Sequence, residues 1–265
     1  MLKYYFILGW LILKRRYKLI LGFIITGIIL ICIFIATKDK KIYYLSLGDS
    51  LAAGQTPYNT IDKSYGDYVS EYLKDRKLLE FYTKKFSKSG YRSIDLLNDL
   101  NNNKKIKVEG KNITLKHALI KADIVTLSIG SNDLFYKLNL GNEFNLDEFE
   151  DIYTYVDESF KDIDKLLYEL RKSCKEQIMV FGFYNPFTSF SSNLSNMVEP
   201  IIIYANGKMQ GLTKKYNMTY IDIHDKFLAN DSYLPSKFEI HPTKDGYKAM
   251  AKSVIKLIDK KTLAK

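Results

Sequence analysis

The sequence predicts an α/β domain, a parallel sheet covered by helices on both faces, preceded by one transmembrane helix. Three observations carry that expectation. Beyond residue 41, short near-continuous apolar runs alternate with longer stretches of helical period, the pattern of strands buried on both sides. No repeat, low-complexity tract or Pro/Ser-rich linker interrupts 42–265, so those residues read as one domain. Ahead of them, at 19–36, stands the uncharged apolar run LILGFIITGIILICIFIA.

Taken in order, residues 1–18 form a basic and apolar leader whose own run at 4–13 is too short to span a bilayer and suits an interfacial position. At about 1.5 Å per residue, 19–36 nearly crosses the hydrocarbon core. Thr37, Lys38 and Asp39 follow with no A-x-A pattern, so the helix is expected to be retained. Cys32 follows Ile31 rather than a small residue and reads as a small apolar side chain, not a lipid acceptor. Lys3, Lys14, Arg15, Arg16 and Lys18 before the run outnumber Lys38, Lys40 and Lys41 after it. That bias predicts a single-pass membrane protein with its N-terminus inside and its domain on the extracytoplasmic side. A short linker, 37–41, leads to strands expected at 42–47, 79–86, 124–129, 178–183 and 219–223. Helices are expected at 65–73, 94–100, 115–121, 146–171, 194–216 and 243–258.

Composition removes several classes of function. The net charge of +10 over 265 residues is concentrated: 1–41 hold eight Lys/Arg against one acid, which leaves 32 against 29 in 42–265. The basicity therefore flanks the apolar run, and no nucleic-acid partner is expected. The 21 tyrosines are dispersed and suit core and groove lining better than a stacking platform. Two cysteines exclude a disulfide framework and a Cys-rich zinc module, and three histidines leave little room for His-rich metal chemistry. A chain of this length forms a sizeable core without either.

Ligands on parallel sheets sit outside the carboxyl ends of the strands. Three polar signatures fall there: Gly48-Asp49-Ser50-Leu51, Ser89-Gly90 and Gly130-Ser131-Asn132-Asp133. Acyl transfer needs a nucleophile, a base and donors aimed at a developing oxyanion. Ser50, in a Gly-containing turn before Ala52, Ala53 and Gly54, suits a nucleophile or a helix cap. Gly90 either makes a simple turn or lets substrate approach a backbone amide. Asn132 is a turn residue or a side-chain donor. Of the histidines, His117 lies in a Lys-rich helix and His224 suits a structural hydrogen bond. His241 precedes Pro242 and Thr243, a helix cap, which sets its ring in a loop at the active edge and makes it the base candidate.

G-D-S-L with Ser50, then Gly90, then G-S-N-D with Asn132, then H-P with His241 resemble the four ordered blocks of the SGNH or GDSL hydrolases. The resemblance covers essentially all of 42–265, and Gly182-Phe183-Tyr184-Asn185-Pro186-Phe187 is similar to bacterial lipase/acylhydrolase members. The G-x-S-x-G elbow of ordinary α/β-hydrolases is missing. The resemblance implies a flavodoxin-like three-layer α/β/α sandwich hydrolysing esters without metal or cofactor. It also implies Ser50 as nucleophile, His241 as general base, and Ser50 N–H, Gly90 N–H and the Asn132 side chain as the oxyanion hole.

One position departs from the family pattern. The usual Asp three residues before the His is Phe238 here, and Glu239 stands two residues before His241. Glu239, a backbone carbonyl serving a Ser–His dyad, and the more distant Asp222 and Asp225 are the alternatives for orienting the ring. The substrate expected from the resemblance is an ester, either a lipid or an acylated envelope polymer. The competing readings are a carbohydrate O-acetyl esterase and a catalytically impaired binding protein on the same fold.

Overall fold

A computed structural model of the chain describes residues 41–137, 152–188, 192–235 and 239–263, together with 10, 16–18, 20, 21, 26 and 27. The chain divides into two units, Met1–Lys40 and Lys41–Lys265. In the first, the described residues are helical. Among the described residues no helix is long and apolar enough to cross a membrane. Most of the run at 19–36, on which the anchor expectation rests, lies outside them, as does Phe238.

Among the described residues, the second unit is built on five parallel strands: β1 (Ile42–Gly48), β2 (Leu79–Thr83), β5 (Ile124–Ser128), β6 (Gln177–Phe181) and β7 (Thr219–Ile221), ordered β2-β1-β5-β6-β7. This is the flavodoxin-like doubly wound order, which reverses direction at β1 and opens a crevice between the carboxyl ends of β1 and β5. The helices are α1 (Ser50–Ala53), α2 (Tyr65–Asp75), α3 (Ser93–Asn101), α4 (Leu115–Lys121), α5 (Ser131–Lys137), α6 (Ile152–Ser173), α7 (Ser192–Lys215), α8 (His224–Leu228) and α9 (Lys244–Leu263). A two-stranded antiparallel hairpin, β3 (Lys105–Val108) and β4 (Lys111–Thr114), lies between α3 and α4.

Alternation along the strands builds two cores, which makes the sheet the middle of three layers. Leu45, Leu47, Val125, Leu127, Ile178 and Val180 face one core with α3, α4, α6 and α7. Tyr44, Ile124, Met179, Phe181 and Ile221 face the other with α2 and α9. The buried positions of α6 (Val156, Phe160, Ile163, Leu166, Leu167 and Leu170) recur at the three- and four-residue spacing that puts one helical stripe against the sheet. Caps start several helices: Asp49 accepts from Leu51 N, Thr114 from His117 N, and Thr243 Oγ1 from Gly246 N. Thr243 thus takes the cap position expected for it.

The strands end earlier than expected. Those anticipated to reach Phe86, Phe183 and Ile223 stop at Thr83, Phe181 and Ile221, because the apolar residues beyond continue as buried loop rather than as ladder. The helix expected at 146–171 is described from Ile152 to Ser173, its first residues lying outside the described ones. The hairpin and the short helices α1, α5 and α8 had no expectation.

Candidate active site

Gly48 ends β1 at φ +132°, and a Cβ there would sit 1.9 Å from the Ser128 carbonyl oxygen on β5. Only glycine fits. The chain then turns through Asp49, whose amide donates to the same carbonyl (3.0 Å), and enters α1 at Ser50. Gly54, at φ +89°, ends that helix after one turn and returns its N–H to Ser50 O (2.9 Å). Ser50 is thereby fixed at the crevice with its hydroxyl turned toward the loop that precedes α9.

From that loop His241 presents Nε2 3.0 Å from Ser50 Oγ, joining residues 191 apart in sequence. Its other ring nitrogen, Nδ1, lies 2.5 Å from Glu239 Oε1. The same carboxylate oxygen accepts from the amides of Ile240 (3.0 Å) and His241 (3.3 Å), so Glu239 folds back over its own loop. Tyr184 OH donates to Ile240 O (2.6 Å) and holds the segment from the other side. Of the alternatives for orienting the ring, Asp222 and Asp225 are engaged with His224 instead. His117 is an exposed residue of α4.

Of the two remaining candidates, Asn132 lies in the first turn of α5 and Gly90 on the loop that this turn touches. Asn132 Nδ2 donates to Tyr91 O (2.9 Å), one residue beyond Gly90, which leaves the second N–H of that amide for another acceptor. The Gly90 loop is held against the end of β1: Lys88 N donates to Gly48 O (3.1 Å) and Ser87 Oγ to Ser46 O (2.9 Å). Gly90 has φ +80°, and no atom lies within 4 Å of where its Cβ would be, so the backbone conformation rather than crowding selects glycine.

Two buried carboxyls brace this arrangement, and neither was singled out from the sequence although both stand inside its motifs. Asp49 accepts from Leu51 N (3.1 Å) and from Ser128 Oγ (2.9 Å). Burial pushes its pKa up to about 7, against the pull of those two donors. Asp133 accepts the Ser93 amide through both oxygens (3.1 and 3.0 Å) and the Ser93 hydroxyl, which ties α5 to the start of α3. Burial raises it to about 6. Both therefore keep a proton in the folded chain over a pH range where the unfolded chain, near pKa 4, has released it. Stability contributed this way is present at low pH and is lost as pH rises through these values. Thermal melts are expected to show a Tm several degrees higher at pH 5 than at pH 8, at about 2–4 °C per kcal/mol for a domain of this size. Asp49→Asn should reduce the difference, and a Tm that climbs over this interval would contradict the assignment.

Ser50, Asn132 and His241 open onto a cavity of about 420 Å³. Gly90 and Glu239 do not line it: Gly90 sits on an exposed turn, and Glu239 stands behind the imidazole. Apart from the polar end at Asp49, Ser50, Ser131, Asn132 and His241, the walls are predominantly apolar. Phe183 and Phe187 come from the loop after β6, Val156 and Phe160 from α6, and Ile201 and Ile202 from α7. A concave apolar chamber with a few convergent polar groups at one end is the usual form of a small-molecule site. Nothing in the helical spacing shows which apolar faces line it, because core-facing and cavity-facing residues share one stripe.

The profile of the GDSL-like lipase/acylhydrolase family matches residues 46–249, which include every candidate residue named above. The chain is 26% identical to the protein YpmR of Bacillus subtilis (strain 168) over 235 residues, 86% of each chain. Among solved structures it is similar to the lipase Lip_vut3 from a goat rumen metagenome, with TM-score 0.62, 20% identity, and 80% of this chain and 94% of that one covered. It is also similar to an extracellular lipase from Streptomyces rimosus (TM-score 0.58, 17% identity, 80% and 98% covered). The acetylxylan esterase Axe2 from Geobacillus stearothermophilus is a further relative in fold (TM-score 0.57, 18% identity, 83% and 95% covered). With the family match spanning most of the α/β unit and the fold shared with lipases and esterases, the chain belongs to the GDSL-like lipase/acylhydrolase family of hydrolases.

Proposed function

We propose that this protein is a serine-dependent carboxylic ester hydrolase that takes esters of apolar acyl chains and is held at a membrane by its N-terminal segment. The observation that carries the reading is the apolar cavity opening directly onto the Ser50–His241 pair. In the first step His241 Nε2 accepts the Ser50 proton as Oγ attacks the ester carbonyl carbon. The carbonyl oxygen takes up the electron pair and is met by Ser50 N–H and the free N–H of Asn132, while the Gly90 turn, outside the cavity lining, holds Asn132 through Tyr91 O. His241 then passes its proton to the departing alcohol, leaving an acyl-Ser50 ester. In the second step water, deprotonated by the same imidazole, attacks that ester, and the proton returns to Ser50 as the acid leaves. Glu239, on Nδ1, keeps the ring in the tautomer whose Nε2 is the acceptor and stabilises the imidazolium that forms within each step.

Asn132→Ala removes a donor aimed at the oxyanion rather than at the ground-state ester. Its kcat should fall about 10²–10³-fold with KM little changed. A fall in kcat below threefold would remove Asn132 from the oxyanion hole.

The cavity discriminates between the acyl groups that the sequence left open. Each methylene buried contributes about 0.8 kcal/mol, so kcat/KM on an ester series from acetyl upward should rise about three- to fourfold per carbon until the chamber is full. Acetyl preferred over every longer chain would overturn this reading in favour of an O-acetyl esterase.

The apolar run at 19–36 with its flanking Lys and Arg supports anchorage, and the bias of those charges supports an extracytoplasmic domain. Protease added outside intact cells should then digest the domain.

A further inference from the structure

His224, one of the two histidines that the catalytic reading does not use, stands in a half-buried polar network behind the cavity wall, with Asp225 on its exposed side. The wall loop after β6 is gripped from α7 at two points. Asn206 accepts from Phe183 N (2.7 Å) and donates to Phe183 O (2.9 Å). Asn185, 3% exposed, accepts from Phe187 N (3.0 Å) through its side-chain oxygen. Its Nδ2 donates to Ser195 O (3.0 Å) and to Glu199 Oε2 (2.9 Å) on α7. The other oxygen of Glu199 lies 2.6 Å from His224 Nε2, at the start of α8. His224 Nδ1 is 3.0 Å from Asp225 Oδ1, and its backbone amide donates to Asp222 Oδ1 (2.9 Å). Phe183 and Phe187 line the cavity, as do Val198, Ile201 and Ile202 on either side of Glu199; Asn185, Glu199 and His224 do not.

We infer that Asn185, Glu199 and His224 are positioning residues that set acyl-chain selectivity by clasping the loop after β6 to α7, and that the clasp is tightest while His224 carries two ring protons. The inference rests on the reading that the cavity holds the acyl chain. The chemistry follows from the donor inventory. Ionised carboxylates only accept, so an imidazole between Glu199 and Asp225 makes both bonds only as the imidazolium. A neutral ring has one N–H and faces one carboxylate with a lone pair. The groups facing the ring are Glu199 from α7 and Asp225 from its own helix, with Asp222 on its backbone. Burial pulls the His224 pKa down, but the bonds with Asp225 and Glu199 outweigh that pull and hold it above the ordinary histidine range. The clasp is therefore complete below that value and loosens as pH rises through it. The Phe187 side of the chamber is then held less firmly, while Ser50, His241 and Glu239 keep their contacts.

The experiment measures kcat/KM for octanoyl and acetyl esters of one alcohol across pH, on the full chain in detergent. The ratio cancels the titration of the catalytic base, which both esters share. The wild-type ratio should fall as His224 loses its proton. His224→Ala should lower it about tenfold, the equivalent of two methylene contacts, with acetyl turnover within threefold of wild type. Glu199→Gln, whose amide oxygen accepts from Asn185 and whose N–H donates to the Nε2 of a neutral His224, should keep much of the wild-type ratio and flatten its pH dependence. A wild type that prefers acetyl overturns the cavity reading and the clasp together. Preference for octanoyl with a ratio independent of pH, or one unmoved by His224→Ala, overturns the clasp alone. So does an equal loss on both esters, which a merely structural role would give. Should His224→Ala fail to fold, the wild-type pH series and Glu199→Gln decide the matter.

Discussion

Ser50→Ala reduces kcat by about 10⁴–10⁶, the range found when a serine hydrolase loses its nucleophile, while ester binding in the apolar cavity persists. The size follows from the geometry. Ser50 Oγ is the oxygen held 3.0 Å from His241 Nε2, at the end of a chamber where most of its polar lining groups gather. Alanine is a common helix residue and Ser50 is the first residue of α1, after an Asp49 cap that the substitution leaves in place. The variant should therefore fold with a Tm within about 2–3 °C of wild type, which makes loss of activity a statement about chemistry. Steady-state turnover and a circular-dichroism melt on the same preparation check both halves. Activity above about 1% of wild type would mean another group attacks the ester.

Glu239 carries the second large effect. Glu239→Gln is expected to lower kcat by about 10–10², because its amide oxygen takes the place of Oε1 against Nδ1 and the two backbone amides but leaves the imidazolium without a negative partner. Glu239→Ala should lower kcat similarly and cost about 1–3 kcal/mol of stability as well, since the Ile240 and His241 amides lose their common acceptor. A kcat within fivefold of wild type in both variants would leave a Ser50–His241 dyad with the loop backbone orienting the ring. The placement itself has a simple origin. A carboxylate two residues before the histidine lies close along the chain, and the extra methylene of Glu over Asp lets it curl back over its own amides to reach Nδ1.

Much of this site was legible in the sequence because its parts stand at the ends of apolar runs. β1 beyond Ile42 and all of β5 are buried, so their apolar character is nearly continuous, and a glycine stands at or just after the end of each where the chain must twist away. Ser50, Gly90 and Asn132 follow β1, β2 and β5, at a helix start, on a loop and at a helix start respectively. The distance from Glu239 to His241 was not legible, since a side chain folding back depends on loop curvature. The cavity was hidden for a different reason. Phe160, Phe183 and Ile202 belong to three elements, and each would read as ordinary core. The hairpin escaped notice because its strands have four residues each and turn through Glu109-Gly110, both at positive φ, rather than through the Asn-Gly or Asp-Gly pair that marks such turns. Asp49 and Asp133 sat in full view within the motifs, but their burial is set by Ser128 and Ser93, 79 and 40 residues away.

Covalent trapping tests the central claim most directly. The full chain is treated with a fluorophosphonate, its residual turnover is followed, and the adduct is located by peptide mass mapping. A single adduct on the peptide containing Ser50, accumulating in step with the loss of esterase activity and absent from Ser50→Ala, is the predicted result. An adduct on a different residue, or full turnover after Ser50 has been modified, would contradict it.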